Sequence, residues 1–130
     1  MARTPVTTSA VIALDSSCWL EVFDGGIRAP LFQKQAAAVD SVIVPVITIY
    51  EVFKFLRRKL GHEAASRAAT YMQRGRIVDI DSALVLDAAS SGLPLADSLI
   101  YATAQLHGAE LWTQDAHFEG LPGVKYFQKK

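Results

Sequence analysis

The stretch Val11-Ile12-Ala13-Leu14-Asp15-Ser16-Ser17 changes character at its fifth residue. A short, continuously apolar run reads as a strand buried on both faces, the mark of a parallel sheet. Asp15-Ser16-Ser17 then supplies short polar side chains that accept hydrogen bonds from the free N–H groups of a helix's first turn. Strand passes into helix with almost no loop, and the same change recurs along the chain. Ser41 to Val44 reads as a strand, and Pro45 suits the first turn of a helix that runs to Leu60 and stops at Gly61. Ile77 to Ile80 is a third strand, with Asp81 or Ser82 capping a helix through Ser91. Pro94 opens a helix ending at His107-Gly108, and Glu110 to Thr113 is the fourth strand. Val124 to Phe127, after the turn Leu121-Pro122-Gly123, is the last. Further helices are expected from Asp15 to Asp24-Gly25-Gly26, over Pro30 to Val39, and over Glu63 to Gln73. Short strands alternating with helices predict an α/β fold of three layers. A central, mostly parallel sheet of about four to five strands is flanked by helices on both faces.

The chain has 130 residues, a length that suits one domain. Its hydrophobic content of 51% is enough for a substantial core. No run approaches the roughly 18 to 20 apolar residues of a membrane span, and residues 1–10 lack the apolar centre of a secretion signal. The single Cys18 excludes an internal disulfide and fits a reducing cytoplasm, with the thiol read as a core group. Thirteen basic residues balance 13 acidic ones, which argues against a general nucleic-acid coat protein but not against a nuclease with its acids gathered in one pit. The bases do cluster, at Arg57-Arg58-Lys59, at Arg67, Arg74 and Arg76, and at Lys125, Lys129 and Lys130. They read either as solvated faces or as contacts to phosphates around such a pit.

Four acids interrupt or end apolar stretches: Asp15, Glu51, Asp97 and Asp115. Asp15 and Asp115 fall at carboxyl ends of strands, where parallel sheets form their sites. Glu51 is expected about two turns into a helix whose front is apolar on nearly every side, and so buried, and Asp97 in the first turns of its own helix. Each has an ordinary explanation as well: Asp15 as a helix cap, Asp97 as a favourable charge at a helix start, Asp115 as a turn cap, Glu51 as a partner of Lys54. If the four converge, however, two carboxylates about 4 Å apart repel by about 4 kcal/mol at an effective dielectric near 20. A divalent cation resolves that repulsion. Magnesium or manganese, with a preference for hard oxygen donors, would then activate water and shield a phosphate. No zinc, phosphate-loop or nucleophile-elbow motif is present.

The same residues carry a family resemblance. Ala13-Leu14-Asp15-Ser16-Ser17 resembles the first-strand motif of PIN-domain ribonucleases, and Ile49-Tyr50-Glu51-Val52 resembles their helical glutamate. Leu95-Ala96-Asp97-Ser98-Leu99-Ile100-Tyr101-Ala102-Thr103-Ala104 is similar to the helix bearing their third acid. Leu111-Trp112-Thr113-Gln114-Asp115-Ala116-His117-Phe118, followed by Leu121-Pro122-Gly123-Val124, is similar to their last motif. Order, spacing and length are most similar to the VapC-type toxins of toxin–antitoxin pairs. The resemblance implies a PIN fold spanning residues 1–130 as a single domain, with 1–10 as an N-terminal extension. It implies a magnesium- or manganese-dependent endoribonuclease that acts on RNA and is held in check by a cognate antitoxin. Asp15, Glu51, Asp97 and Asp115 become its metal-binding and catalytic acids, and Ser17 and Thr113 its supporting hydroxyls. Many relatives have another Asp where His117 stands, which implies a weaker second ion site. Arg57, Arg58 and Lys59 are read as RNA contacts, and apolar helix surface as a homodimer seam and an antitoxin groove. Two other classes share parts of this pattern: a phosphoacceptor signalling domain, which fits helix-borne Glu51 and Asp97 poorly, and a catalytically silent interaction domain of the same fold.

Overall fold

A computed structural model of the chain describes residues 11–129. The N-terminal extension, and Lys130 of the last basic group, lie outside them. Strands β1 (Ile12–Leu14), β2 (Val42–Pro45), β3 (Arg76–Val78), β4 (Glu110–Thr113) and β5 (Val124–Tyr126) form one sheet in the order β3-β2-β1-β4-β5. All four pairings are parallel. Helices α1 (Ser16–Phe23), α2 (Gln33–Ala37), α3 (Val46–Leu60), α4 (His62–Met72), α5 (Ser82–Ala89) and α6 (Leu95–Leu106) make the crossovers.

Strand side chains alternate between two cores, as the two-residue period of a pleated strand requires. Leu14, Val42, Val44 and Trp112 face the α1–α4 side, with Trp19, Val52, Leu56 and Met72. Ala13, Ile43 and Leu111 face the α6 side, with Ile100 and Ala104. Burial on both faces explains why these strands are apolar without interruption. The chain winds outward from β1 to β3, then returns to place β4 on the other side of β1. Strand order therefore reverses between β1 and β4. Neighbouring crossovers leave that junction in opposite directions and open a crevice at its carboxyl end.

Three expectations need correction. The helix expected over Pro30 to Val39 is broken into a 3-10 turn at Ala29–Leu31, the five-residue α2 and a second 3-10 turn at Val39–Ser41. Burial wins over alanine-rich propensity there: Phe32 turns inward against Phe127, with ring centroids 4.9 Å apart, and Val39 enters the core. The front of α3 is not buried all round, since Ile47 and Ile49 are only partly covered and Tyr50 is exposed. Glu51 lies about two turns into α3 as expected, but is partly rather than fully buried. Other differences are shifts of a residue or two: β3 ends at Val78, and α5 at Ala89.

Candidate functional site

The crevice at the β1–β4 junction is a cleft of about 740 Å³, and Asp15, Glu51, Asp97 and Asp115 all line it. Each acid arrives from a different element. Asp15 follows β1 and is the N-cap of α1, with its Oδ1 accepting from the Cys18 N–H at 3.1 Å. Asp115 follows β4, and its Oδ1 accepts from the His117 N–H at 2.9 Å, closing a 3-10 turn at Ala116–Phe118. Asp97 is the third residue of α6, and Glu51 lies on α3. Capping and site membership are thus compatible, because a capping carboxylate stands at a strand's carboxyl end.

Asp15 is the floor of the cleft, 3% exposed. Its Oδ1 also accepts from Ser17 Oγ at 2.5 Å, and its Oδ2 from Thr113 Oγ1 at 2.5 Å. A carboxylate has about four lone-pair sites, so the remaining acceptor capacity lies on Oδ2. Burial raises its pKa above the ordinary carboxylate value, and the Ser17, Thr113 and Cys18 hydrogen bonds oppose that rise. Thr113 Oγ1 in turn accepts from the Asp115 N–H at 2.9 Å, so one hydroxyl ties the two strand-end acids together.

At the mouth, His117 Nδ1 lies 2.7 Å from Asp97 Oδ2 and 3.3 Å from Asp115 Oδ1. Burial, more than the nearby Asp115 charge, raises the pKa of Asp97, and the His117 hydrogen bond works against both. The hydrogen bond to Asp97, then the charges of Asp115 and Asp97, raise that of His117. His117 thus stands between two acids at the mouth of the cleft. Ligand atoms of Asp97, Asp115 and His117 fall within 4.8 Å of one another, a spacing a single ion can bridge. Carboxylate oxygens with one imidazole suit a hard divalent cation, manganese in particular.

Some features were not legible beforehand. Ser16 Oγ donates to Glu51 Oε1 at 2.5 Å and links α1 to α3. Lys54 does not pair with Glu51; its Nζ donates to the Tyr50 hydroxyl at 3.4 Å. Gln114, 4% exposed, donates its backbone N–H to Ser17 Oγ and its side-chain amide to Glu21 Oε1 at 3.0 Å, and accepts from Arg28 Nε at 2.6 Å. This clamp fixes the loop that carries Asp115. The only hint in the sequence is a polar residue between two members of the motif.

The bases divide. Arg58 and Lys59 line the cleft, together with Lys54, whereas Arg57 does not. Lys59 pairs with Asp24 at 2.6 Å. Arg67 pairs with Glu63, Arg74 stacks on Tyr71, and Lys125 on Trp112, so these bases serve the fold's surface locally. Cys18 is buried, and its burial pushes the thiol pKa upward, which makes it a core group.

Residues 12–124 match the PIN domain family. The chain belongs to that family. Ribonuclease VapC4 of Mycobacterium tuberculosis (strain ATCC 25618 / H37Rv) is 34% identical over 112 residues, covering 77% of this chain and 86% of the relative. A toxin–antitoxin complex from Klebsiella pneumoniae contains a chain that superposes with a TM-score of 0.73 at 26% identity, covering 88% of this PIN domain and 95% of that chain. The fold is shared further with VapC20 of Mycobacterium tuberculosis, a sarcin-ricin loop cleaving toxin, at a TM-score of 0.72, 20% identity and coverage of 85% and 95%. This PIN domain is therefore of the VapC type.

Proposed function

We propose that this VapC-type PIN domain is a metal-dependent endoribonuclease, the toxin of a toxin–antitoxin pair. The observation that carries the reading is the gathering of Asp15, Glu51, Asp97 and Asp115 along one cleft at the strand-order reversal. The nuclease relative and the toxin–antitoxin neighbour support it.

Asp97 and Asp115 would hold a magnesium or manganese ion, with Asp15 Oδ2 and Glu51 completing the acidic site directly or through water. Such an ion supplies a water of lowered pKa and a shield for the scissile phosphate. The protein's own part is orientation. Ser17 and Thr113 fix the Asp15 carboxylate, Ser16 fixes Glu51, and the Gln114–Arg28 clamp fixes the Asp115 loop. Orientation of this kind is paid in folding, before substrate arrives. Arg58 and Lys59 face the same cleft and would meet phosphates of the incoming strand.

A cognate antitoxin would close this cleft, and an arginine is the natural plug because guanidinium pairs bidentately with carboxylate. Phe23, Leu60 and Tyr71 border a neighbouring groove between α3 and α4 that suits an apolar partner segment. Leu86, Leu95 and Leu106 stand exposed on α5 and α6, and would supply a homodimer seam. Among the described residues no helix is long and apolar enough to cross a membrane. We assign the protein to the cytoplasm, where its RNA substrate and antitoxin partner are found.

Cleavage of RNA by the purified protein, with and without chelator, tests the reading. Cleavage should vanish in chelator, return with manganese or magnesium, and be lost in Asp97→Asn with the fold intact. Undiminished cleavage by Asp97→Asn refutes the assignment. Acetyl phosphate should leave the protein unlabelled, which separates it from a phosphoacceptor domain. A silent interaction domain would show no heat of manganese binding that Asp97→Asn removes.

A further inference from the structure

Helix α3 continues past Glu51 with a pattern that metal binding does not use. Positions three, four and seven beyond Glu51 share its face of the helix, and they hold Lys54, Phe55 and Arg58. All three line the cleft, as does Tyr50. The two rings contribute little to the core: Tyr50 is 58% exposed and Phe55 45% exposed. Each has a cation beside it, Lys54 Nζ 5.6 Å from the Tyr50 ring centroid and Lys59 Nζ 5.8 Å from that of Phe55. Lys54 and Arg58 have no ion-pair partner among the described residues.

Exposed rings interleaved with uncommitted cations match the chemistry of a single nucleic-acid strand. Ring faces take bases, and the cations take the phosphates between them. A double helix keeps its base faces stacked and offers the rings nothing. A partner protein's apolar helix would seek a continuous apolar stripe, and here Lys54 separates the two rings. Resting on the ribonuclease reading, we propose that Phe55 and Tyr50, with Lys54 and Arg58, form a base-stacking wall. The wall holds unpaired nucleotides beside the phosphate that the acids address.

The probe is a short heteropolymeric RNA oligonucleotide used three ways: single-stranded, annealed to its complement, and carrying an abasic position next to the cleaved bond. Phe55→Ala and Tyr50→Ala should each raise KM about tenfold with kcat and thermal midpoint unchanged, and Phe55→Tyr should retain the native KM. The native protein should bind the abasic strand more weakly, and the alanine variant at the facing ring should lose nothing further on it. The annealed strand should be a poor substrate. Native KM in both alanine variants, or equal cleavage of the annealed strand, overturns the wall. So does native KM accompanied by loss of antitoxin inhibition, which would give these rings to the protein partner. Fluorescence anisotropy with metal-free protein reads the wall apart from cleavage. Equal Kd for native and both alanine variants overturns it there, while a protein that binds through the rings but cuts no RNA refutes only the ribonuclease reading.

Discussion

Asp15 concentrates the electrostatic cost of the site in one side chain. It is 3% exposed, and burial raises its pKa against the pull of three hydrogen-bonding residues. In metal-free protein, Asp15→Asn removes a desolvated charge and keeps the shape, and the Ser17 and Thr113 hydroxyls can rotate to suit the amide. The expected result is a thermal midpoint higher by about 4 °C, the effect of about 1 kcal/mol, together with loss of cleavage. Calorimetry of both proteins in chelator checks it. Glu21 shows the opposite sign. The Gln114 amide, then the Arg28 N–H, hold its pKa below the ordinary 4.5. A lowered carboxylate contributes stability above its unfolded value and loses it as pH falls through the folded one. Glu21→Gln should therefore lower stability modestly near neutrality, flatten its loss below about pH 4.5 and meet the native value at lower pH, as denaturant titrations across that range would record.

At the scale of elements, the joint between α3 and α4 closes the helix that carries Glu51 and the basic face. Gly61 sits there with φ 98° and ψ 170°, backbone that side chains rarely adopt, and a Cβ would meet nothing within 4 Å. The cost of replacing it is conformational rather than steric, on the order of 1–3 kcal/mol. Gly61→Ala is expected to lower unfolding free energy by about that amount in urea titration, with kcat little changed because the acids lie at the other end of the helix. The helix start and stop signals around α3, Pro45 and Gly61, were readable in the sequence because they are local chemistry. The breakage of the expected Pro30–Val39 helix was not, because Phe32 and Val39 turn inward to meet Phe127 and the core, partners that only the fold supplies. The exposure of Tyr50 and Phe55 was hidden for a related reason: apolar residues at the front of a helix look alike whether they face a core or a cleft.

On the scale of the whole molecule, a net charge of zero conceals an arrangement. Four acids occupy the cleft, and Lys54, Arg58 and Lys59 share its lining, while several other bases are engaged locally. Binding of single-stranded RNA should weaken with salt at a slope of about −2 in log K against log salt, the release expected for about three phosphate contacts. A slope near zero, measured by anisotropy from low to physiological salt, would remove these cations from the interface. Lys54→Ala with Arg58→Ala should flatten the slope by more than half.

The chain's own pattern determined the α/β class, the strand positions and the four acids, because apolar runs ended by polar caps are written locally and an acid in an apolar stretch stands out. What it could not determine was that Thr113 would bridge Asp15 and Asp115, that His117 would sit between Asp97 and Asp115, or that Gln114 would be clamped by Arg28. Those contacts join residues as many as 98 positions apart. They exist only once the reversal between β1 and β4 has brought two strand ends and two helices to one crevice, and side-chain direction there follows from packing on both sheet faces.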